Sequence, residues 1–191
     1  MARHVCPWWM GYFIDTPLRR LIHNPVKILQ PYVKPGITVI DVGCGMGIFS
    51  IAMARLVGDE GRVIAVDLQQ KMLDVMLQRA RRAGVAHRIT PHRCAADRLG
   101  LEIPADFMLA FAMVHEVPDT KNFFRQVYAC LKPEGKFLVA EPRLHVRAAA
   151  FQKMLILAQE LGLRIAEHPK IRRSRSVVFV KKQTSFPPIA G

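Results

Sequence analysis

Val39-Ile40-Asp41-Val42-Gly43-Cys44-Gly45-Met46-Gly47 is the stretch on which the fold turns. A short β-branched run reads as a buried strand. Three closely spaced glycines break it into a bend, and the segment Ile48 to Val57 leaves that bend as a helix. Glycine lets the backbone turn tightly and lets a ligand approach with no Cβ in the way. The helix start behind the bend offers unpaired N–H groups to an anionic group. Just downstream, Arg62-Val63-Ile64-Ala65-Val66-Asp67 is a second strand, with Gly61 as its turn. It ends in an acid about 20 residues beyond the last glycine, where a carboxylate can accept both hydroxyls of a ribose. Bend, helix, strand and terminal acid together indicate a nucleoside cofactor.

The same alternation continues outward. Gln69 to Ala83 is a helix with Met72, Met76, Ala80 and Ala83 on one face and Gly84 as its stop. Ile89 to Ala95 is a third strand, and Asp106 to Val114 a buried fourth. Asp119 caps a helix carrying Phe123, Phe124, Val127 and Leu131. Lys136 to Glu141 is the fifth strand, Ala148 to Leu161 a helix, and Leu163 to Glu167 and Ser176 to Lys182 the last two strands. Strands separated by single helices imply parallel βαβ units, whereas a pair joined by a short connection implies an antiparallel edge. The expected fold is α/β: a doubly wound, mostly parallel seven-stranded sheet with helices on both faces and the last strand antiparallel. Residues 1–30 stand apart as a proline-interrupted helical or lid segment, with Thr16 to Ile22 as a candidate helix. Residues 31–191 form the cofactor-binding domain.

The spacing within the bend narrows the nucleoside. A dinucleotide loop places its third glycine at position 48, and this chain has Ile48 there. Asp41, just before the bend, would repel a pyrophosphate and attract an ammonium group. The run Asp41 to Gly47 resembles the first motif of class I S-adenosylmethionine-dependent methyltransferases. Val63 to Leu68 resembles their second motif. Leu131-Lys132-Pro133-Glu134-Gly135-Lys136 is similar to their Leu-Lys-Pro-Gly-Gly turn, with Glu134 in place of a glycine. The resemblance covers roughly residues 30–182 and is nearest to the small-molecule quinone and arsenite methyltransferase-like group.

That resemblance implies the following contacts. The loop Gly43, Cys44, Gly45 and Gly47 binds S-adenosylmethionine, with S-adenosylhomocysteine as product; Gly43 and Gly45 lie along the methionine and ribose. Asp41 helps place the amino group. Asp67 binds the ribose hydroxyls, and Leu68 packs on the adenine. Ala96 and Asp97 occupy the place where an acid takes the adenine amino group, although Asp97 also suits a helix cap. Phe111 and Ala112 pass beneath the methionine. Methyl transfer is an in-line displacement, for which positioning supplies most of the rate. Where the acceptor keeps its proton, the candidate base is His115, beside Glu116, just past the fourth strand. The bland reading of that pair is structural.

The chain has 191 residues, 28 Lys and Arg against 15 Asp and Glu, and a net charge of +13. That balance draws anions without choosing among them. The clusters Arg79, Arg81 and Arg82, and Lys170, Arg172, Arg173 and Arg175, read first as solvated faces. Cys6, Cys44, Cys94 and Cys130 form no Cys-x-x-Cys pair, so no metal site and a reducing, cytoplasmic setting are expected. No run is long enough to span a membrane. Trp8, Trp9, Tyr12 and Phe13 suit either a substrate lid or a core cover. The expected partner is a small-molecule acceptor, with a homodimer left open. The alternatives are an RNA or protein methyltransferase using the basic surface, and a non-catalytic cofactor-binding protein. Phe111 to Glu116 lacks the Asn/Asp-Pro-Pro-aromatic signature of base-amine methyltransferases, which disfavours nucleic acid.

Overall fold

A computed structural model describes residues 23–181. The aromatic residues Trp8, Trp9, Tyr12 and Phe13, Cys6, and the candidate helix Thr16 to Ile22 lie outside that range. The chain runs α1 (Pro25–Leu29), β1 (Thr38–Val42), α2 (Ile48–Val57), β2 (Arg62–Asp67), α3 (Gln70–Arg82), β3 (Ile89–Arg93), β4 (Ala105–Phe111), α4 (Thr120–Cys130), β5 (Leu131–Pro142), α5 (Ala148–Glu160), β6 (Leu163–Glu167) and β7 (Ser174–Lys181). One-turn 3-10 helices cover Ala86–Arg88 and Val114–Glu116.

All seven strands form one sheet in the order β3-β2-β1-β4-β5-β7-β6. The first five are mutually parallel, and β7 runs antiparallel to both β5 and β6. The expected fold class is therefore the observed one. The closing antiparallel pair is arranged differently from a simple edge: β7 inserts between β5 and β6, and β6 takes the border. Composition explains the order. Val177 to Val180 are buried on both faces, as an interior strand requires, whereas β6 is exposed at Arg164, Ala166 and Glu167.

Strand alternation splits the core into two layers. Val39, Val63, Ala65, Phe107, Leu109 and Leu138 face α1, α2 and α3. Ile40, Val42, Ile64, Met108, Phe137, Val139 and Phe179 face α4 and α5. Leu29 is fully buried against the first layer and Tyr32 stacks on Phe107 at 5.6 Å, so the chain joins the core before β1 begins. Asp119 caps α4 as expected, accepting the Asn122 N–H at 2.9 Å.

Several strand and helix ends moved by one or two residues, and two boundaries moved further. β4 was expected to reach Val114 but stops at Phe111. Ala112 adopts φ +59, a left-handed turn that apolar patterning does not announce. β5 starts at Leu131 rather than Lys136, because Leu131 already pairs with Ala105 ahead of a register shift.

Candidate functional site

The carboxyl ends of β1, β2, β4 and β5 lie side by side, through the pairings Val42↔Val66, Val42↔Ala110 and Phe111↔Ala140. In open α/β sheets ligands gather at such ends. The bend after β1 holds Gly43, Gly45 and Gly47 at φ +69, +52 and +85. Its neighbours press unequally. A Cβ on Gly47 would meet Met76 Cγ at 2.4 Å, and one on Gly43 would meet Met113 Cγ at 2.9 Å, whereas one on Gly45 would have nothing within 4 Å. Gly43 and Gly47 are thus close-packing glycines. Gly45 opens outward, leaving the cradle that a ligand backed against the loop requires.

Asp67 closes the other side. Its Oδ2 accepts the Gly45 N–H at 2.9 Å and its Oδ1 accepts the Gln69 N–H at 2.9 Å. A carboxylate has about four acceptor positions, so with the Gly45, Gln69 and Leu68 N–H groups engaged it keeps capacity for a ribose hydroxyl. Burial pushes the Asp67 carboxyl above its ordinary value, against the lowering pull of those N–H groups. Asp41 lies beneath the bend on β1, 2% exposed, and Ser50 Oγ of α2 donates to its Oδ2 at 2.5 Å. Burial, then Asp41 and Asp67, push the Cys44 thiol well up, so Cys44 is a neutral loop filler. Leu68 is half-buried next to Asp67. Asp41, Gly43, Cys44, Gly45, Gly47, Asp67 and Leu68 therefore come together, and this donor set suits an adenosyl group bearing an ammonium.

Ala96 and Asp97 are exposed on the loop after β3. That loop joins the site at one end, where the Cys94 N–H reaches Asp67 O at 3.1 Å. At the other end, Asn122 and Gln126 of α4 donate to Asp97 O at 2.7 and 2.9 Å. Asp97 caps no helix: it lies in a bend, and irregular backbone follows it as far as β4. Phe111 ends β4 against Phe49, with ring centroids 4.5 Å apart. Ala112, expected within that strand, is the residue that turns out of it; its N–H donates to Ala140 O at 2.7 Å.

The turn at Ala112 carries the chain back over β5. His115 and Glu116 sit in the 3-10 turn that follows, not at a strand end. His115 Nδ1 contacts Glu141 Oε2. Glu141 is 1% exposed, and its Oε1 accepts the N–H groups of Met113 at 3.2 Å and Val114 at 2.9 Å. On the opposite side of the ring, Glu116 Oε1 lies 3.9 Å from His115 Nε2. The His145 ring stands edge-on to His115 at 5.6 Å. A histidine whose first nitrogen is held by a carboxylate presents its second to a substrate proton. Among the described residues, no three of His, Cys, Asp or Glu are grouped to hold a metal ion.

Glu141, His145, Met113 and Ser50 were not singled out from sequence. Glu141 had a readable signal: it is an acid closing an apolar strand, Phe137 to Ala140, as Asp67 closes β2. The pairing of Met113 with Gly43 had none, because it depends on the left-handed Ala112.

Comparison with known proteins agrees with this geometry. The family model described as a methyltransferase domain matches residues 33–179. The ubiquinone/menaquinone biosynthesis C-methyltransferase of Vibrio campbellii is 32% identical over 112 residues, 56% of this chain and 42% of that protein. The ubiquinone biosynthesis O-methyltransferase of Xanthomonas euvesicatoria is 31% identical over 162 residues, 81% of this chain and 63% of that protein. The chain thus spans less than two thirds of either relative. In fold it is similar to the crystal structure of an S-adenosylmethionine-dependent methyltransferase from Aquifex aeolicus. The TM-score is 0.82, with 19% identity over 92% of this chain and 99% of that one.

Proposed function

The chain belongs to the methyltransferase domain family, with S-adenosylmethionine as cofactor, and from that premise we propose that it methylates a small, quinol-like aromatic acceptor. Bound at the β1 bend, the cofactor supplies an electrophilic methyl carbon on a sulfonium. Gly43, Cys44, Gly45 and Gly47 would give it a backbone surface, Asp41 would help place its amino group, and Asp67 would accept from its ribose. Leu68 and the loop at Ala96 and Asp97 would serve the adenine, and Phe111 and Ala112 the methionine.

On the acceptor side, His115 would take the proton of a ring hydroxyl while the acceptor's electron pair bonds to the methyl carbon, the S–CH3 bond breaks and the sulfur leaves as the neutral thioether. The positive charge that arrives on its ring lies between the carboxylates of Glu141 and Glu116. The observation that carries this reading is the contact of His115 Nδ1 with Glu141. With Nδ1 on that carboxylate, Nε2, 3.9 Å from Glu116 Oε1, is the nitrogen we assign to the acceptor's proton. The two curated relatives, named for quinone biosynthesis, support a quinol acceptor.

The test is incubation of the protein with methyl-labelled S-adenosylmethionine and reduced naphthoquinone, or bulk tRNA. Label in the quinol is expected. Label in tRNA alone would move the reading to the basic surface, and cofactor binding without transfer to any fraction of a cell extract would make the protein a binder.

A further inference from the structure

We infer that Glu141 is a positioning residue that selects the tautomer of His115 and, with the same carboxylate, pins the loop that carries it. This rests on the reading of His115 as the base. A buried carboxylate is costly unless its lone pairs are used, and here three donors converge on it. Met113 N–H and Val114 N–H reach Oε1 at 3.2 and 2.9 Å, and His115 Nδ1 meets Oε2. They come from three consecutive residues, and the left-handed Ala112 is what brings them round to the end of β5.

An ionised carboxylate only accepts, so Nδ1 must carry the ring hydrogen. The neutral imidazole then holds its lone pair on Nε2. Among the described residues, Glu141 flanks the ring on the Nδ1 side, Glu116 lies 3.9 Å from Nε2, and His145 stands edge-on. The same carboxylate sets position as well as protonation. Met113, whose N–H it holds, packs its side chain against Gly43 of the cofactor bend. The base and the methyl donor's loop are thereby registered to each other through one side chain.

Glu141→Gln separates this role from a structural one. The amide oxygen can still accept the Met113 and Val114 N–H groups, so the loop keeps its anchor. The amide NH2 then faces Nδ1 and donates to it, which drives the hydrogen to Nε2 and blocks the base.

The experiment is nitrogen NMR on protein labelled in its histidine rings, at a pH where the imidazole is neutral, with His115 assigned by loss of its signals in His115→Gln. The Nδ1–H tautomer is expected in the unaltered protein and the Nε2–H tautomer in Glu141→Gln. S-adenosylhomocysteine affinity should stay within about threefold, while kcat with reduced naphthoquinone falls ~100-fold or more, as when a general base is held in the wrong tautomer. An Nε2–H tautomer in the unaltered protein, or one tautomer shared by both proteins, overturns the inference. If Glu141→Gln does not fold, the spectrum of the unaltered protein decides alone. Turnover surviving in His115→Ala would remove the base reading and leave the tautomer result standing, so the two failures are distinct.

Discussion

Gly43 and Met113 touch across the gap between the bend after β1 and the turn after β4: a Cβ on Gly43 would stand 2.9 Å from Met113 Cγ. Gly45, two residues on, shares the left-handed backbone at φ +52 but has nothing within 4 Å of its Cβ position. The two alanine variants should therefore separate. Both incur the ~1–2 kcal/mol of a left-handed Ala. Gly43→Ala must also displace Met113, so its melting temperature should fall further. Gly45→Ala should lose more S-adenosylhomocysteine affinity per degree of melting lost. Calorimetry and thermal melts on the two variants check the order, and equal ratios would remove the distinction.

Asp67 should make cofactor binding sensitive to pH. In the proposed site its ionised form would accept from the ribose, and burial has raised its pKa above the ordinary 3.8. Affinity for S-adenosylhomocysteine should then begin to fall, as pH drops, before an ordinary aspartate would protonate. The sign for folding of the unliganded chain is opposite. A raised acid binds protons on folding, so its ionisation costs stability above its folded pKa, and that cost fades as pH falls toward 3.8. Asp67→Ala should weaken binding by about 10- to 100-fold, the loss expected for hydrogen bonds to a charged group at ~1.5–3 kcal/mol, and should flatten the acid limb. Titration calorimetry across pH reads both.

The contrast between Asp67 and Glu141 shows how far the sequence could be read. Both are acids closing buried strands, and both accept from backbone N–H groups. Asp67 was legible because its distance from the glycine bend is set by one helix and one strand, both regular. Glu141 gains its meaning from His115, which lies 26 residues away in sequence. That encounter depends on the left-handed Ala112, which carries no residue-type signal. The seven strands were legible from short apolar runs bounded by turn residues, as strands of a mostly parallel sheet require. The insertion of β7 between β5 and β6 is a pairing choice between distant segments, and no local pattern encodes it.

Ser50 should prove a stability residue of the site. Its hydroxyl is fully buried and donates to Asp41, itself 2% exposed, at 2.5 Å. Ser50→Ala leaves that carboxylate short of a donor in a place water does not reach. The cost for such a group is ~1–3 kcal/mol. In a chain of this length that corresponds to roughly 2–10 °C in melting temperature. A variant melting within a degree of the parent would show that Asp41 does not need the hydroxyl.

His115 should govern transfer and not cofactor binding. It lies on the turn after β4, whereas the bend and Asp67 proposed to hold the cofactor belong to β1 and β2. His115→Ala is expected to keep S-adenosylhomocysteine affinity and to lose ~10²- to 10⁴-fold in kcat, the range for a removed general base. The size of the loss should depend on the acceptor. A quinol whose hydroxyl is acidic enough to be ionised already brings no proton for the base to take. A graded series of substituted naphthohydroquinones should therefore show the variant's deficit shrinking as the hydroxyl becomes more acidic. A deficit constant across the series would mean that the ring positions the acceptor and moves no proton, and it would strip His115 of its chemical role while leaving the cofactor site intact.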